Sequence, residues 1–270
     1  KKIKDIFFKQ LNLMIPSKPF GTIFSGGVDS SLQSAMISNI KKPKIAIALN
    51  HVHKDKITEN IVKFKKYLKF KLHVSNVKKD NYISNVLKCY EITNFPFLTH
   101  DFVGKHQLAE FFRKKKCKVF FAADGADELF GGYNLYNKIN WDQKKTKNHS
   151  PYSNYKTPNF KDNLWLKAYK KYNFIQNKKE RMMHASLFTD YFIQSVYVGN
   201  IGTDIMCSNS GIEPRNLFIQ KDIIKLALNL PIKYKINFKE KNNKFILKPV
   251  LKKLFKIYFN ENLIQKKQGF

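Results

Sequence analysis

Arginine is almost absent. Of the 50 basic residues in this 270-residue chain only Arg113, Arg181 and Arg215 are arginine; 47 are lysine, against 20 acids, for a formal charge of +30. Proteins that read bases or clamp phosphates favour the planar, bidentate fork of arginine. A lysine excess beside many Asn, Ile and Phe residues therefore points to compositional bias rather than a nucleic-acid surface, with only weak, salt-sensitive attraction to polyanions. Cysteine is scarce too: Cys89, Cys117 and Cys207 make neither a disulfide framework nor a CxxC zinc pair. No apolar run approaches the roughly 18 residues of a membrane span, and the first residues do not read as a secretory signal. The expectation is a cytoplasmic chain with no membrane partner.

What is present is a core-forming chain, with 43% apolar and 14% aromatic residues. At about 150 residues per domain its length allows one or two domains. Strand-like runs (Phe20–Phe24, Lys44–Leu49, Lys71–Val77, Val119–Ala123) alternate with helix-like stretches (Lys4–Leu13, Ser31–Ile40, Ile57–Leu68, Tyr82–Leu87, Val103–Lys114). Continuous apolar strands separated by helices predict an α/β fold with a parallel, doubly wound sheet. Residues 140–163 are polar with two prolines and read as a loop or lid. From Leu164 onward the pattern is mostly helical. The organisation expected is a nucleotide-binding core over 1–139, the lid, and a helical part over 164–270.

Two strings carry chemistry. Phe24-Ser25-Gly26-Gly27-Val28-Asp29-Ser30-Ser31 lies between a predicted strand and a predicted helix. Paired glycines let backbone approach a phosphate, and N–H groups at a helix start favour an anion. Asp29 is out of place beside a phosphate unless a cation intervenes, which implies Mg²⁺. The alternative is a plain glycine turn in which Asp29 or Ser30 caps the helix. The string lacks the Gly-Lys-Ser/Thr ending of a Walker A loop, so β,γ cleavage of that kind is not implied. Far along the chain, Asp124-Gly125-Ala126-Asp127-Glu128-Leu129-Phe130-Gly131-Gly132-Tyr133 follows the Val119–Ala123 strand. It sets three acids where a parallel sheet presents its ligands, and Asp127 could share a metal with Asp29. The bland reading is that Asp127 and Glu128 complement a helix dipole.

The first string resembles the pyrophosphate loop of the ATP pyrophosphatases, a fold of the adenine nucleotide alpha hydrolase type. The second resembles the signature of the asparagine synthetase family, in its synthetase domain, and the likeness runs through nearly the whole chain. Met14–Ser31 fits the lead into the pyrophosphate loop, and Ser208–Phe218 resembles a later Glu-x-Arg segment. Lys244–Leu251 resembles a lysine-bearing helix near the phosphates, and Lys266–Phe270 a terminal Lys-Gly-Phe segment. The resemblance implies ATP and Mg²⁺. The backbone from Phe24 to Ser30 (Phe24, Ser25, Gly26, Gly27, Asp29, Ser30), with Gly125, would hold the nucleotide. Ile47 and Ala123 would lie near adenosine, and Asp29 and Asp127 would be metal ligands. Lys244 would neutralise pyrophosphate, a fixed-cation role, and Asp124 would stand near the reacting carboxylate and amine. Glu213 and Arg215 would line the acceptor or form a structural ion pair.

The implied reaction adenylates a carboxylate, aspartate first among candidates, releases pyrophosphate and passes the acyl group to ammonia. The departures lie on the acceptor side. Ala122-Ala123 replaces a Ser-Gly pair, Asn216-Leu217-Phe218-Ile219-Gln220 replaces Val-Pro-Phe-Leu-Asp, Ile205 stands where a basic residue is usual, and Asn94–Asp101 is only loosely similar. They keep open a relative acting on another carboxylate, such as a sugar acid, peptide or β-amino acid. A tRNA-modifying enzyme and a non-catalytic nucleotide-binding domain are more distant alternatives. No cysteine-nucleophile glutaminase domain is recognisable, so the expectation is a section of a longer protein, or a chain that takes free ammonia or a separate glutaminase subunit. His51 and His53 read as a loop pair beside the nucleotide rather than metal ligands, and Cys117 reads as core.

Overall fold

Short apolar runs form the middle of one parallel sheet and more polar ones its edges: β1 (Gly21–Ile23), β2 (Ile45–Asn50) and β4 (Val119–Ala122) lie inside, with β3 (Leu72–Asn76) and β5 (Glu213–Asn216) at the two margins. The computed structural model describes residues 2–50, 61–76, 82–94, 101–137, 159–241 and 244–264. Every pairing in the sheet is parallel and the order is β3-β2-β1-β4-β5. The chain winds outward from β1 through β2 to β3, then crosses back to place β4 on the other side of β1. That reversal is the topological switch point of a doubly wound sheet, where ligands bind beyond the carboxyl ends of the strands. Both strings, following β1 and β4, therefore leave the sheet side by side at the switch point, with Gly21 in register with Phe120.

Alternate side chains of β4 serve opposite faces, as strand geometry requires. Phe121 packs with Phe7 and Leu11 of α1 (Lys2–Met14), Met36 of α2 (Val28–Ile40), Ile223 of α9 (Lys221–Asn229) and Leu251 of α10 (Pro249–Phe255). Phe120 packs with Leu108 and Phe112 of α4 (Asp101–Lys114) and Cys207 of α8 (Ile201–Asn209). Helices thus cover both faces, and each fully buried Phe contributes about 1.5–3 kcal/mol. Alongside them run α3 (Tyr82–Thr93), α5 (Ala126–Phe130), α6 (Asn159–Lys171), α7 (Lys178–Asp190) and a π-helical stretch, Tyr191–Asn200. A separate aromatic layer joins Trp165 of α6, Met182 and Met183 of α7, Tyr136 and Ile236. The Trp165 indole donates to Ser186 Oγ at 2.9 Å.

The expected architecture is present, with local differences. The first strand is confined to Gly21–Ile23, and the described part of the Ile57–Leu68 helix is helical at 61–64 before a 3₁₀ turn at Lys65–Tyr67. The segment read as a loop through 163 is already helical from Asn159. The expected lysine-bearing helix over Lys244–Leu251 is corrected: Lys244–Leu247 is β7, paired antiparallel with β6 (Ile236–Lys241), and the helix starts only at Pro249. Proline at the first helical position loses no hydrogen bond there, so it marks the boundary. His51, His53, residues 95–100, the lid over 140–158 and Lys266–Phe270 lie outside the described residues. No helix among the described residues is long and apolar enough to cross a membrane.

Candidate nucleotide and metal site

The first loop is closed by its own residues. Phe24 extends the sheet, its N–H donating to Ile47 O at 2.8 Å, while its ring is sealed edge-on against Phe64 at 5.2 Å. Phe24 and Ile47 are buried, so what they can offer a nucleotide is backbone. Ser25 N–H donates to Ser30 Oγ at 3.1 Å and the two hydroxyls share a bond at 2.8 Å. Between them Gly26 turns at φ +75°, a conformation that only glycine adopts without strain. Gly27 then caps α2, a 13-residue helix with no side-chain cap bond at its start and Asp29 in its first turn.

The second loop begins at Ala123 and Asp124, and Gly125 caps α5. Asp127 and Glu128 are consecutive, so the helix turns them about 100° apart, and the three acids part company. Asp127 meets the ammonium of Lys248. Glu128 turns inward and accepts from the Tyr133 hydroxyl; burial pushes its carboxyl up to about 7, with the Tyr133 hydrogen bond opposing. Asp124 accepts from Thr203 Oγ1 at 3.2 Å, and its N–H donates to Asn216 Oδ1 at 3.3 Å.

Lys248 joins the two loops. Its Nζ is ion-paired with both Asp29 and Asp127, and its side chain is only 8% exposed. Burial alone would lower the ammonium, but the two carboxylates outweigh it and hold the group above the ordinary lysine range. One turn on, Lys252 is held below that range by burial and by the Lys248 charge. The backbone of Lys248 is left-handed (φ 52°, ψ 42°), anchored by its N–H donating to Lys235 O at 2.9 Å. Gly132 makes room for it: any Cβ there would overlap Asp127 Oδ1 and Lys248 Cε. Sequence resemblance points to Lys244, whereas the lysine found between the two acids is Lys248. The backbone of Lys244 pairs with Lys241 in the β6–β7 hairpin, and its side chain lies outside the described ones. The usable signal was the Lys-Pro step, a lysine fixed at a strand-to-helix junction.

The hydrogen-bond partners of Asp124, Thr203 and Asn216, are neutral, and Asn216 extends a polar chain. Asn216 Nδ2 donates to Asn200 Oδ1 at 2.8 Å, and Asn200 Nδ2 donates to Ser195 O at 2.6 Å and Ser195 Oγ at 3.0 Å. Asn200 and Ser195 come from the π-helical stretch, a geometry frequent at functional sites; neither was singled out from sequence. Ile205 packs against a cluster of Cys89, Phe102, Val103 and Met206. Glu213 and Arg215 are bonded to each other at 2.8 Å, and Arg215 also donates to Met14 O. Glu213 is in register with Val119, at the start of its strand and the opposite end from Asp124. Their contacts are those of a structural pair. Cys117 is buried in the core, where desolvation raises its thiol.

The donor set suits magnesium carried by a polyphosphate. Two hard carboxylates, one from each loop, converge on one positive group, and Mg²⁺ is ordinarily held by one or two carboxylates plus substrate phosphates. Among the described residues, no group of three or more His, Cys, Asp and Glu is placed to hold a metal by itself.

Residues 10–270 match the family model described as asparagine synthase. A Methanocaldococcus jannaschii protein, provisionally named a glutamine-hydrolysing asparagine synthetase, is 26% identical over 223 residues, covering 80% of this chain and 34% of that protein. The chain thus spans about a third of the length of that curated relative. Among solved structures, an NMN synthetase from Francisella tularensis superposes with a TM-score of 0.36 at 15% identity, over 48% of this chain and 58% of that one.

Proposed function

The chain belongs to the asparagine synthase family, and on that premise we propose that it is an ATP-dependent, AMP-forming carbon–nitrogen ligase. The observation that carries the reading is the convergence of Asp29 and Asp127, from loops leaving adjacent parallel strands, on one buried positive charge. The Phe24–Ser30 backbone and Gly125 cradle the triphosphate, and Ile47 and Ala123 flank adenosine. Asp29 and Asp127 would hold Mg²⁺, which would supply positive charge to the phosphates.

A carboxylate oxygen of the acceptor attacks the α-phosphorus, the bond to the β-phosphate oxygen breaks, and pyrophosphate departs. Ammonia then attacks the acyl carbon, AMP takes the bonding pair as leaving group, and the amide nitrogen gives up a proton. Adenylation is required because a free carboxylate is too poor an electrophile for ammonia. Lys244 supplies fixed positive charge to the leaving pyrophosphate, and Asp124, held by Thr203 and Asn216, orients the acceptor and the incoming amine. Ammonia arrives free or from a glutaminase domain or subunit, and the cytoplasm supplies ATP and Mg²⁺.

Aspartate is the first acceptor to test. A second reading keeps the chemistry and changes the acid. It is favoured by Ile205, which fills a hydrophobic cluster, and by the neutral Thr203, Asn200 and Asn216 around Asp124. Pyrophosphate release from Mg·ATP with ammonium and a panel of carboxylates decides between them. Asparagine with stoichiometric AMP supports the first reading; release with another acid alone supports the second. Binding of Mg·ATP without release under any acid would contradict both.

A further inference from the structure

Both carboxylates assigned to the metal are already neutralised in part by the chain itself. We infer that Lys248 is a resident counter-ion: its ammonium occupies the place of the divalent cation until metal and nucleotide arrive together, and then transfers to the phosphates. The inference rests on the metal-site reading above and goes beyond it, because it gives the site an order of loading.

The geometry is specific. A divalent ion held by Asp29 and Asp127 would need the space that the ammonium paired with both now fills. The ammonium is not there by default, for three features hold it. The Lys248 backbone keeps a left-handed conformation uncommon outside glycine, and its N–H is tied to Lys235 O. Pro249 fixes the start of α10 immediately after it. The bare Cα of Gly132 leaves a slot for the side chain that a single methyl would close. Bare metal must expel a buried ammonium held by both acids without offering it a destination, and Lys252, whose charge acts on both Lys248 and Asp29, adds to the positive field that metal meets. A metal that brings phosphates supplies that destination, since an ammonium is a compact point charge well suited to phosphate oxygens. Lys248 is thus a positioning residue that opposes metal alone and favours metal with nucleotide.

The test is Mn²⁺ binding to the full chain, read by electron paramagnetic resonance of the free ion, with and without a non-hydrolysable ATP analogue. Lys248→Met should bind Mn²⁺ alone about tenfold or more tightly than the wild type, because a competing charge has gone. The same variant should bind the analogue in the presence of Mn²⁺ more weakly, having lost its phosphate partner. Adding Asp29→Asn to Lys248→Met should remove the gained affinity. Unchanged or weaker Mn²⁺ binding by Lys248→Met, with Asp29→Asn still reducing it, would overturn the counter-ion role and leave the metal site standing. Indifference to Asp29→Asn in that background would overturn both.

If Lys248→Met and Lys248→Gln both fail to fold, the wild type carries the test. The ¹⁵Nζ resonance of the buried ammonium should shift on addition of Mg²⁺ with the analogue and stay in place with Mg²⁺ alone at the same concentration. A resonance unmoved by both, or moved equally by both, would overturn the inference.

Discussion

The junction of the two loops and the aromatic layer each bury a lysine, and the two are linked by a backbone hydrogen bond, Lys248 N–H to Lys235 O at 2.9 Å. Their electrostatics are opposite. Lys248 meets two carboxylates and stays charged. Lys235, 1% exposed, donates to Ala227 O at 2.9 Å and lies 3.3 Å from His184 Nδ1. Burial pulls its ammonium down to about 7. Burial and the neighbouring lysine push the His184 imidazole down to about 3. The difference shows what makes a buried charge usable. A paired ammonium among acids can be exchanged for another cation, whereas one among neutral partners only destabilises itself.

The most disruptive way to break the contrast is to remove an acid. Asp127→Asn leaves Lys248 with one carboxylate and the metal with one ligand; pyrophosphate release should fall about 100-fold or more, measured with a coupled pyrophosphate assay, while circular dichroism stays unchanged. Gly132→Ala comes next. The added methyl must displace Asp127 or Lys248, so activity should drop at least about tenfold and stability by about 1–3 kcal/mol, the usual cost of overpacking, read from urea unfolding.

The contrast is sharpened from the other side by Lys235→Met. Between pH 7 and the ordinary lysine value of 10.5, the unfolded chain holds this proton and the folded chain does not. Wild-type stability should therefore climb as pH rises through that window. The methionine variant should lose the climb and gain roughly 2–4 kcal/mol at pH 7, in urea melts taken across pH 7–10. Its His184 should also titrate nearer 6.5, read by NMR. The smallest effect belongs to Glu213→Ala. The pair with Arg215 is exposed at the glutamate, and its loss should cost under about 1 kcal/mol with activity unchanged.

What could be read from sequence, and what could not, follows the same division. Ser25–Ser31 and Asp124–Tyr133 were legible because glycine turns and misplaced acids are rare at strand ends, and parallel β–α alternation puts such ends together. Lys248 was not, being one of 47 lysines whose meaning comes from a left-handed junction and a distant glycine. Nor could spacing show that Asp127 and Glu128, adjacent in sequence, would be turned to opposite environments by the first turn of α5. Asn200 and Ser195 were hidden for a third reason: they reach Asn216, beside Asp124, only through a π-helical stretch, which no hydrophobic period announces.

The central claim, that these two loops form one site for adenylating a carboxylate, is tested most directly with an ¹⁸O-labelled acid, starting with aspartate, in the presence of Mg·ATP and ammonium. One labelled oxygen in AMP, none in pyrophosphate, and both lost on Asp29→Asn is the predicted result. Formation of ADP and phosphate with the label in phosphate would mean attack at the γ-phosphorus, and would contradict it.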